Sequence, residues 1–338
     1  MFALFHPREC SGGGMRAVVV DRLMKPGDLR VSEVAECRAG PGEVLLSVEA
    51  AGCNFSDLLM LRGEYQDKPE LPFIPGREAA GRVIEVGEGV QRVNVGDRVL
   101  AYSGLGAFAE RVSVHQSRVY ALPDTMDFAV GAALPIVYPT SYAGLVDLAG
   151  LRPGDNLLVH AAAGGVGLAA VQIGHALGAR VIATAGGAEK LAVARRAGAE
   201  ILIDYREEDF APRVLAETAG RGADVIYDSV GGETTNRSLR CIAWKGRLVV
   251  VGFASGEIPE IRANRILLKN IAVLGLNWPR YCAEEPQTVD GIFAALMALH
   301  SQGRIAPLIE HIHPLEEAGV ALSALARRGT VGKRILVP

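Results

Sequence analysis

The sequence has few cysteines, and their spacing excludes two common uses of that residue. Five cysteines occur in 338 residues, at positions 10, 37, 53, 241 and 282, with no C-x-x-C pair among them. Scattered cysteines in odd number predict neither a disulfide framework nor a cysteine-rich zinc site. They are typical of a protein in a reducing compartment, and we predict a cytoplasmic location.

Long apolar runs and an excess of basic residues are also missing. No stretch reaches the roughly 18 apolar residues that a membrane span needs, and no apolar run of signal-peptide length opens the chain. The 35 Lys and Arg residues against 38 Asp and Glu residues give a net charge of -3. Without a basic stripe, the sequence predicts no nucleic-acid or membrane partner and favours a small-molecule ligand.

The chain is long enough for two globular domains, since 49% of its 338 residues are hydrophobic. Residues 1–14, which end in three glycines, are predicted to be a flexible N-terminal extension. Up to about residue 135, short strands such as 43–48 and 81–86 are punctuated by Gly and Pro. This rhythm predicts an antiparallel, barrel-like domain.

After residue 138 the rhythm changes, because apolar strands alternate with Gly-rich turns and Ala- and Leu-rich helical stretches. Such alternation predicts a parallel, doubly wound sheet. A helix is predicted over 167–177, and a last strand over 333–337 is predicted to return to the first domain. The predicted strands of the parallel sheet are 156–160, 180–184, 200–203, 223–227, 247–252 and 271–275.

A glycine-rich turn joins the first strand of this sheet to the following helix. It reads His160-Ala-Ala-Ala-Gly-Gly-Val-Gly167. Small residues let the backbone approach a pyrophosphate, and the helix start offers free N–H groups and the positive end of its dipole. Since strand, turn, helix and second strand follow in the right order, we predict dinucleotide binding. The residues predicted to bind are Gly164, Gly165, Val166 and Gly167.

The end of the second strand predicts which dinucleotide binds. NAD enzymes usually carry Asp or Glu there, to bind the ribose 2′-hydroxyl. This chain instead reads Val181-Ile-Ala-Thr-Ala-Gly-Gly187, without a carboxylate. Lys190 stands near the start of the next helix, where its charge opposes the helix dipole unless an anion lies nearby. The 2′-phosphate of NADP(H) would be that anion; the alternative is a solvated lysine beside Glu189.

Several segments of the chain match one known family. They include Gly52-Cys-Asn-Phe-Ser-Asp57, Gly332-Lys-Arg-Ile-Leu-Val337 and the residues at 62–65, 71–81, 95–99, 154–167 and 203–208. Over residues 15–338 the chain resembles the quinone oxidoreductase and zeta-crystallin branch of the medium-chain dehydrogenase/reductase superfamily. The resemblance implies an α/β fold with two domains: a GroES-like β-barrel catalytic domain at 15–137 and 305–338, and a Rossmann NADP-binding domain at 138–304.

The resemblance also implies cofactor-binding positions and an assembly. Members of this branch are usually dimers or tetramers, and we expect a homodimer, or a tetramer, in contact near the sheet edge at 271–276. For the four positions that would bind the 2′-phosphate, the structural alternatives are a glycine in a turn, a lysine at the surface, a tyrosine at the end of a strand and an arginine at the end of a helix. The implied residues are, for the 2′-phosphate, Gly186, Lys190, Tyr205 and Arg328, and, for the rest of NADP(H), Asn54, Thr140, Val230, Phe253 and Ala254.

Zinc-dependent relatives need Cys or Asp, His and a further Cys around one open coordination position. The corresponding positions of this chain hold Asn54, Arg77 and Ile136. Because an amide, a guanidinium and an alkyl group cannot form that site, we predict a zinc-free enzyme. His311 and His313 lack a third ligand and are expected at the surface.

An enzyme without a metal is expected to reduce an electron-poor acceptor. A quinone or an enone takes hydride at carbon while charge develops on a remote oxygen, which a hydrogen-bond donor stabilises. We predict Asn54, through its amide N–H groups, and Tyr65 as catalytic residues; for Tyr65 the alternative is a core tyrosine. No general acid stands out, so the final proton is expected from water.

Three hypotheses for the function remain open. The first is NADPH-dependent reduction of a quinone-like acceptor, and the second is reduction of an enone, acrylate or enoyl-thioester double bond. The third, of another class, is a non-catalytic NADPH-binding structural protein, as the lens crystallins of this family exemplify. Specificity is predicted at 58–67 and 275–285, including Trp278 and Tyr281. A residue that binds the acid of an acrylate would be one of Arg62, Arg77, Arg262, Arg265 and Arg280.

Overall fold

The computed structural model describes residues 13–338, whose contacts divide the chain into two compact units. The first unit holds the chain up to Ile136 together with Pro307–Pro338, and the second holds Val137–Ala306. The predicted extension at 1–14 lies almost wholly outside the described residues, and Gly14 already begins a strand. In the part of the chain that is described, no helix is both long and apolar enough to cross a membrane.

The strands and helices follow one another along three segments of the chain. The N-terminal segment forms β1 (Gly14–Val19), β2 (Arg30–Ala35), β3 (Glu43–Gly52), α1 (Phe55–Leu61), β4 (Glu78–Val86), β5 (Arg98–Tyr102), β6 (Arg111–His115), β7 (Val119–Ala121) and α2 (Phe128–Ala132). The middle segment forms α3 (Val137–Tyr142), β8 (Asn156–Val159), α4 (Gly165–Ala176), β9 (Arg180–Ala185), α5 (Ala188–Arg196), β10 (Ile201–Asp204), α6 (Phe210–Glu217), β11 (Ala223–Asp228), α7 (Gly232–Cys241), β12 (Ile242–Val250), α8 (Ala263–Lys269), β13 (Ala272–Gly275), α9 (Trp278–Glu284) and α10 (Pro286–Ser301). The C-terminal segment forms β14 (Ile309–Pro314), α11 (Ala318–Ala326) and β15 (Lys333–Val337).

The first unit is built on a largely antiparallel sheet in the order β14-β15-β3-β4-β5-β7, with β6 also paired to β3. Strand β15 pairs antiparallel with β3, so that Ile335 lies opposite Gly52. The predicted return of the last strand to the first domain is therefore confirmed. Because β3 runs antiparallel to both β15 and β4, its carboxyl end lies beside the first residues of those two strands.

The second unit is built on a parallel sheet in the order β10-β9-β8-β11-β12-β13. This is the strand order of a Rossmann sheet. Its central strands are buried on both faces, as in β11, where Val225, Ile226 and Tyr227 are fully buried, and continuous apolar runs are typical of such strands. Strand β13 is outermost, which places residues 271–276 at a sheet edge. The contact between copies stays a prediction.

One strand of the parallel sheet begins earlier than the sequence predicts. The prediction places its start at residue 247, after a glycine, whereas β12 begins at Ile242. Lys245 has a positive φ of 59°, and the register with β11 shifts along this stretch. A local irregularity thus lets the strand continue through residues that look like a turn in the sequence.

Candidate functional site

The predicted cofactor-binding residues of the second unit lie at one edge of its parallel sheet. Parallel strands all end on the same edge, and ligands of such sheets bind beyond the carboxyl ends of the strands. Residues at 164–167 follow β8, and Gly186 follows β9. The segments after β10, β11 and β12 carry Tyr205, Val230, Phe253 and Ala254.

The glycine-rich turn packs tightly against the start of α4. Gly164 is the N-cap residue, and the helix begins at Gly165. A Cβ atom on Gly167 would lie 2.2 Å from the backbone oxygen of Ala161, so only glycine lets the helix approach the turn this closely. The first N–H groups of the helix have no partner inside it. They are therefore available to an anion at this turn.

A buried threonine next to this turn has an unused hydroxyl group. Ser141 Oγ donates to the backbone oxygen of Val166 at 2.9 Å, which holds α3 beside the start of α4. Its neighbour Thr140 is 6% exposed, and no atom of the described residues bonds to Thr140 Oγ1. A buried hydroxyl without a partner is costly. The Thr140 hydroxyl is therefore suited to bind a ligand that supplies the missing hydrogen bond.

The loops after β11 and β12 are joined by hydrogen bonds. The buried carboxylate of Asp228 accepts from Val230 N at 2.8 Å and from Thr235 Oγ1 at 2.5 Å. Ala254 N donates to the Ser229 oxygen at 3.0 Å, and the backbone N–H after it donates to the Val230 oxygen at 2.8 Å. These bonds hold Val230, Phe253 and Ala254 in one structured loop pair.

His160, at the end of β8, supports the sheet from inside. Its Nδ1 lies 2.9 Å from Thr184 Oγ1 and its Nε2 lies 2.8 Å from Ser238 Oγ. Burial lowers the pKa of this imidazole. We assign it a structural role, because both ring nitrogens are already engaged by hydroxyl groups.

Two of the three predicted 2′-phosphate residues of the second unit, Gly186 and Tyr205, lie together, and Arg206 joins them. A Cβ atom on Gly186 would lie 2.6 Å from Arg206 Nε and 2.8 Å from the Tyr205 hydroxyl. Asp204 positions this segment, because its carboxylate accepts from Gly187 N at 2.9 Å and from Arg206 N at 3.0 Å. Sequence reasoning missed Arg206. The sequence feature that could have identified it is a basic side chain directly after Tyr205 in the matching segment 203–208.

Two other predicted residues occupy different surroundings. Lys190 lies in the first turn of α5 and is partly buried. Arg328 belongs to the first unit, where it follows α11 with a left-handed φ of 54°. It is therefore not among the residues that the second unit gathers at its sheet edge.

In the first unit, Asn54 meets two buried charged side chains. Lys333 Nζ donates to Glu78 Oε1 at 2.6 Å, to Asn54 Oδ1 at 2.8 Å and to the backbone oxygen of Cys53 at 2.8 Å. Glu78 is fully buried and Lys333 is 4% exposed. The cluster forms where the end of β3 meets the starts of β4 and β15. Sequence reasoning missed both charges, whose signal was a charged residue at the first position of a strand.

The side-chain amide of Asn54 is fully engaged in this cluster. Its Nδ2 donates to Glu78 Oε1 at 2.8 Å and to the backbone oxygen of Gly52 at 3.3 Å. An amide has two N–H hydrogens, and both are used. The structure therefore differs from the prediction that these N–H groups stabilise the oxygen of the acceptor.

Tyr65 lies against a buried guanidinium. Arg77 is 4% exposed, and its Nη1 donates to the Tyr65 hydroxyl at 2.9 Å. Its Nη2 donates to the Tyr102 hydroxyl at 2.8 Å, and its Nε donates to the Gly104 oxygen at 3.3 Å. The guanidinium carbon also lies 5.0 Å from the centre of the Tyr65 ring. Tyr65 is partly exposed, whereas Tyr102 is buried.

Two further ionisable groups border this cluster. Asp57 is fully buried and accepts from Asn54 N at 2.8 Å. Burial raises the pKa of this carboxyl to about 7, against the opposing effect of Arg77. Burial also raises the pKa of the Cys53 thiol, which keeps it protonated. We therefore assign Cys53 a structural role.

The three positions that correspond to zinc ligands are committed to other contacts. Asn54 and Arg77 make the hydrogen bonds described above, and the backbone N–H of Ile136 donates to Glu78 Oε2 at 2.8 Å. Within residues 13–338, no three His, Cys, Asp or Glu side chains form a group that could hold a metal ion.

The prediction that His313 lies at the surface is wrong. Its side chain is 3% exposed and bonds to Glu317 and Arg334.

The predicted specificity residues of the second unit form a stacked pair. The rings of Trp278 and Tyr281 lie 6.0 Å apart at an angle of 16°. The Tyr281 hydroxyl donates to the carboxylate of Asp147, which lies on a π-helix at Ala143–Leu148. Trp278 is 5% exposed, and no described residue accepts from its indole N–H. Single π-helical turns are often found at functional sites.

Comparisons with known proteins agree with this architecture. The family model described as "Alcohol dehydrogenase GroES-like domain" matches residues 40–124, and the one described as "Zinc-binding dehydrogenase" matches residues 165–296. The chain is 39% identical over 324 residues to a protein of Nematostella vectensis named "Quinone oxidoreductase-like protein 2 homolog", covering 95% of this chain and 88% of that one.

Solved structures give the same result. A mycobacterial protein complexed with NADPH has a TM-score of 0.90 and 34% identity, covering 96% of this chain and all of the other. Escherichia coli quinone oxidoreductase complexed with NADPH has a TM-score of 0.88 and 32% identity, with the same coverage. The predicted fold, a GroES-like domain with a Rossmann domain, is confirmed. The chain belongs to the quinone oxidoreductase branch of the medium-chain dehydrogenase/reductase superfamily.

Proposed function

We propose that this protein is a zinc-free, NADPH-dependent oxidoreductase that reduces quinone-like acceptors by hydride transfer. The observation that carries the proposal is the carboxyl edge of the parallel sheet, where the glycine-rich turn, the unused hydroxyl of Thr140 and the Arg206 guanidinium beside Gly186 are found. NADPH, when bound, supplies the hydride. The two structural relatives complexed with NADPH support this choice of cofactor.

The proposed absence of zinc rests on the chemistry of the donor set. The side chains at positions 54, 77 and 136 are an amide, a guanidinium and an alkyl group. None of the three provides the thiolate or imidazole that a catalytic zinc site needs. Without a Lewis acid to activate an alcohol, an electron-poor acceptor is the suitable substrate.

A screen of acceptors tests this function. We expect NADPH, in preference to NADH, to be oxidised in the presence of quinones, by protein without stoichiometric zinc. Preferential turnover of acrylate or an enoyl thioester would favour the double-bond reductase instead. Binding of NADPH without oxidation by any quinone, enone, acrylate or enoyl thioester would support a non-catalytic role. Stoichiometric zinc in the active sample would contradict the proposal.

Arg206, beside Gly186, and Lys190, in the first turn of the next helix α5, give a prediction about cofactor preference. Lys190→Ala and Arg206→Ala are each expected to weaken NADPH binding about tenfold, because a charge-assisted hydrogen bond is worth about 1.5–3 kcal/mol. NADH lacks the 2′-phosphate, so its affinity should change less than twofold. Dissociation constants from nucleotide fluorescence measure both effects. Arg195→Ala, in the last turn of the same helix, is the matched control and should change neither.

Equal losses of affinity for NADPH and NADH would contradict the assignment of these basic side chains to the 2′-phosphate. They would mean that the basic side chain stabilises the fold of the segment and does not contact the 2′-phosphate. A loss for Lys190→Ala alone would remove Arg206 from the site.

A further inference from the structure

The second unit contains a cavity that the proposed function does not use. It has a volume of about 390 Å³ and is lined by one face of α7 and by the segment 260–265, which leads into α8. Such a volume is typical of a small-molecule site. None of the predicted cofactor-binding residues is in the lining. We call it the arginine cavity, and its charged side chains are Arg240, Arg262, Arg265, Glu233 and Glu260.

The three arginines of this cavity lack the partners that other arginines of the unit have. Arg237, on the same helix as Arg240, forms an ion pair with Asp209 at 2.5 Å, and Arg247 forms one with Asp155 at 2.9 Å. Within the described residues, the guanidinium groups of the arginine cavity make no hydrogen bond and no ion pair. Positive charges around one cavity repel one another, and an anion between them removes that repulsion. The arginines therefore favour an anionic ligand.

A phosphate group is the anion that suits three guanidinium groups best. A planar guanidinium donates two parallel hydrogen bonds to phosphate oxygens, and a phosphate group offers three terminal oxygens. A carboxylate offers only two oxygens, so it engages fewer arginines. The cavity of about 390 Å³ also has room for far more than a phosphate group, since one water molecule takes up about 30 Å³. The phosphate is therefore expected to belong to an organic molecule.

The two glutamates of the cavity indicate what the rest of that molecule carries. Glu233 and Glu260 line the same space, yet within the described residues neither forms an ion pair with the arginines there. Both side chains are exposed, and their carboxylates are available to accept hydrogen bonds. They repel a bare phosphate ion, whereas hydroxyl groups can donate to them. The lining thus suits a molecule that carries both a phosphate group and hydroxyl groups.

We propose that the arginine cavity is a second ligand site, which binds a phosphorylated polyol such as a sugar phosphate. The three arginines bind the phosphate group, and the two glutamates accept hydrogen bonds from the hydroxyl groups. The sequence suggests Arg262 and Arg265 as residues that bind the acid of an acrylate, and their place in this cavity assigns them to a different ligand. The site does not depend on the reductase activity.

Isothermal titration calorimetry with glucose 6-phosphate tests this site, with saturating NADP+ present to occupy the cofactor site. We expect glucose 6-phosphate to bind at least about tenfold more tightly than inorganic phosphate, which has no hydroxyl groups to offer the glutamates. Glucose without a phosphate group should not bind. Arg262→Ser and Arg265→Ser are each expected to weaken the binding of glucose 6-phosphate about tenfold, since each removes a charge-assisted hydrogen bond.

Two further variants control for binding elsewhere. Arg304→Ser removes an exposed arginine of the second unit that does not line the cavity, so it should leave the affinity unchanged. Arg206→Ala should also bind glucose 6-phosphate as the wild type does. A loss of affinity in Arg206→Ala would place the sugar phosphate at the 2′-phosphate site and contradict the proposal. Because Arg262 and Arg265 are exposed, their replacement should not change the melting temperature.

The double variant Glu233→Gln with Glu260→Gln tests the selectivity of the site. Without the two negative charges, inorganic phosphate should bind more tightly, while weaker acceptors remain for the hydroxyl groups. We therefore expect the preference for glucose 6-phosphate to fall below about threefold. An unchanged preference would remove the glutamates from the site. Equal affinity of the wild type for the two ligands, wild-type affinity in both arginine variants, or no binding of glucose 6-phosphate at about 10 mM would overturn the proposal.

Discussion

Replacement of Lys333 by methionine is expected to lower the free energy of unfolding of the first unit by about 3–5 kcal/mol, the cost of breaking a buried ion pair from one side. Lys333 is 4% exposed, and its ammonium lies 2.6 Å from the fully buried carboxylate of Glu78. Methionine fills much of the volume but leaves that negative charge without its cation. Urea denaturation followed by far-ultraviolet circular dichroism measures the loss, and the two units are fitted as separate transitions.

The partner residue provides the control for this prediction. The double variant Lys333→Met with Glu78→Gln removes both charges, so it should recover most of the lost stability. Lys25→Met, at an exposed position, should leave the unfolding curve unchanged. A double variant as unstable as Lys333→Met alone would show that the packing of the lysine stem, and not the unpaired carboxylate, carries the effect.

Replacement of Gly167 by alanine is expected to weaken NADPH binding about 100-fold or more. The new methyl group would lie 2.2 Å from the backbone oxygen of Ala161, so the start of α4 must move outward by roughly 1 Å to reach an ordinary contact. That movement takes the helix N–H groups away from the pyrophosphate, and two charge-assisted hydrogen bonds account for about that loss of affinity. Isothermal titration calorimetry with NADPH measures the change.

Two other glycines serve as controls for this substitution. A Cβ atom on Gly164 would lie 3.4 Å from the Ala161 oxygen, an ordinary contact, so Gly164→Ala should keep the melting temperature. Any loss of NADPH affinity in that variant would come from obstruction of the ligand. Gly291→Ala, in α10, meets nothing within 4 Å and should leave both quantities intact or raise stability slightly. Wild-type affinity in Gly167→Ala would remove this turn from the proposed cofactor site.

Much of the second unit could be predicted from the sequence because its signals are local. Each strand of the parallel sheet is a short apolar run, and the helix after the glycine-rich turn has apolar residues at helical spacing. The lack of a carboxylate at the end of β9 can be read directly from residues 180–185. The start of β12 could not be read this way, because its irregularity at Lys245 arises from pairing with β11.

The candidate site of the first unit depends on residues that are far apart in the chain. Glu78 and Lys333 are 255 positions apart, and no periodicity of the sequence relates them. They meet because β3 lies between β4 and β15 and is antiparallel to both. This pairing also occupies the amide of Asn54, which the residue type alone had suggested as a free donor.

The sequence by itself determined the family, the two kinds of sheet and the glycine-rich turn, because these depend on residue type, spacing and local propensity. Side-chain partners were determined only by the tertiary structure. It engages the Asn54 amide with Glu78, sets Arg77 against the hydroxyl of Tyr65 and brings Arg206 beside Gly186. The physical reason is that each buried polar group must find a partner in three dimensions, and that partner follows from how strands and loops pack.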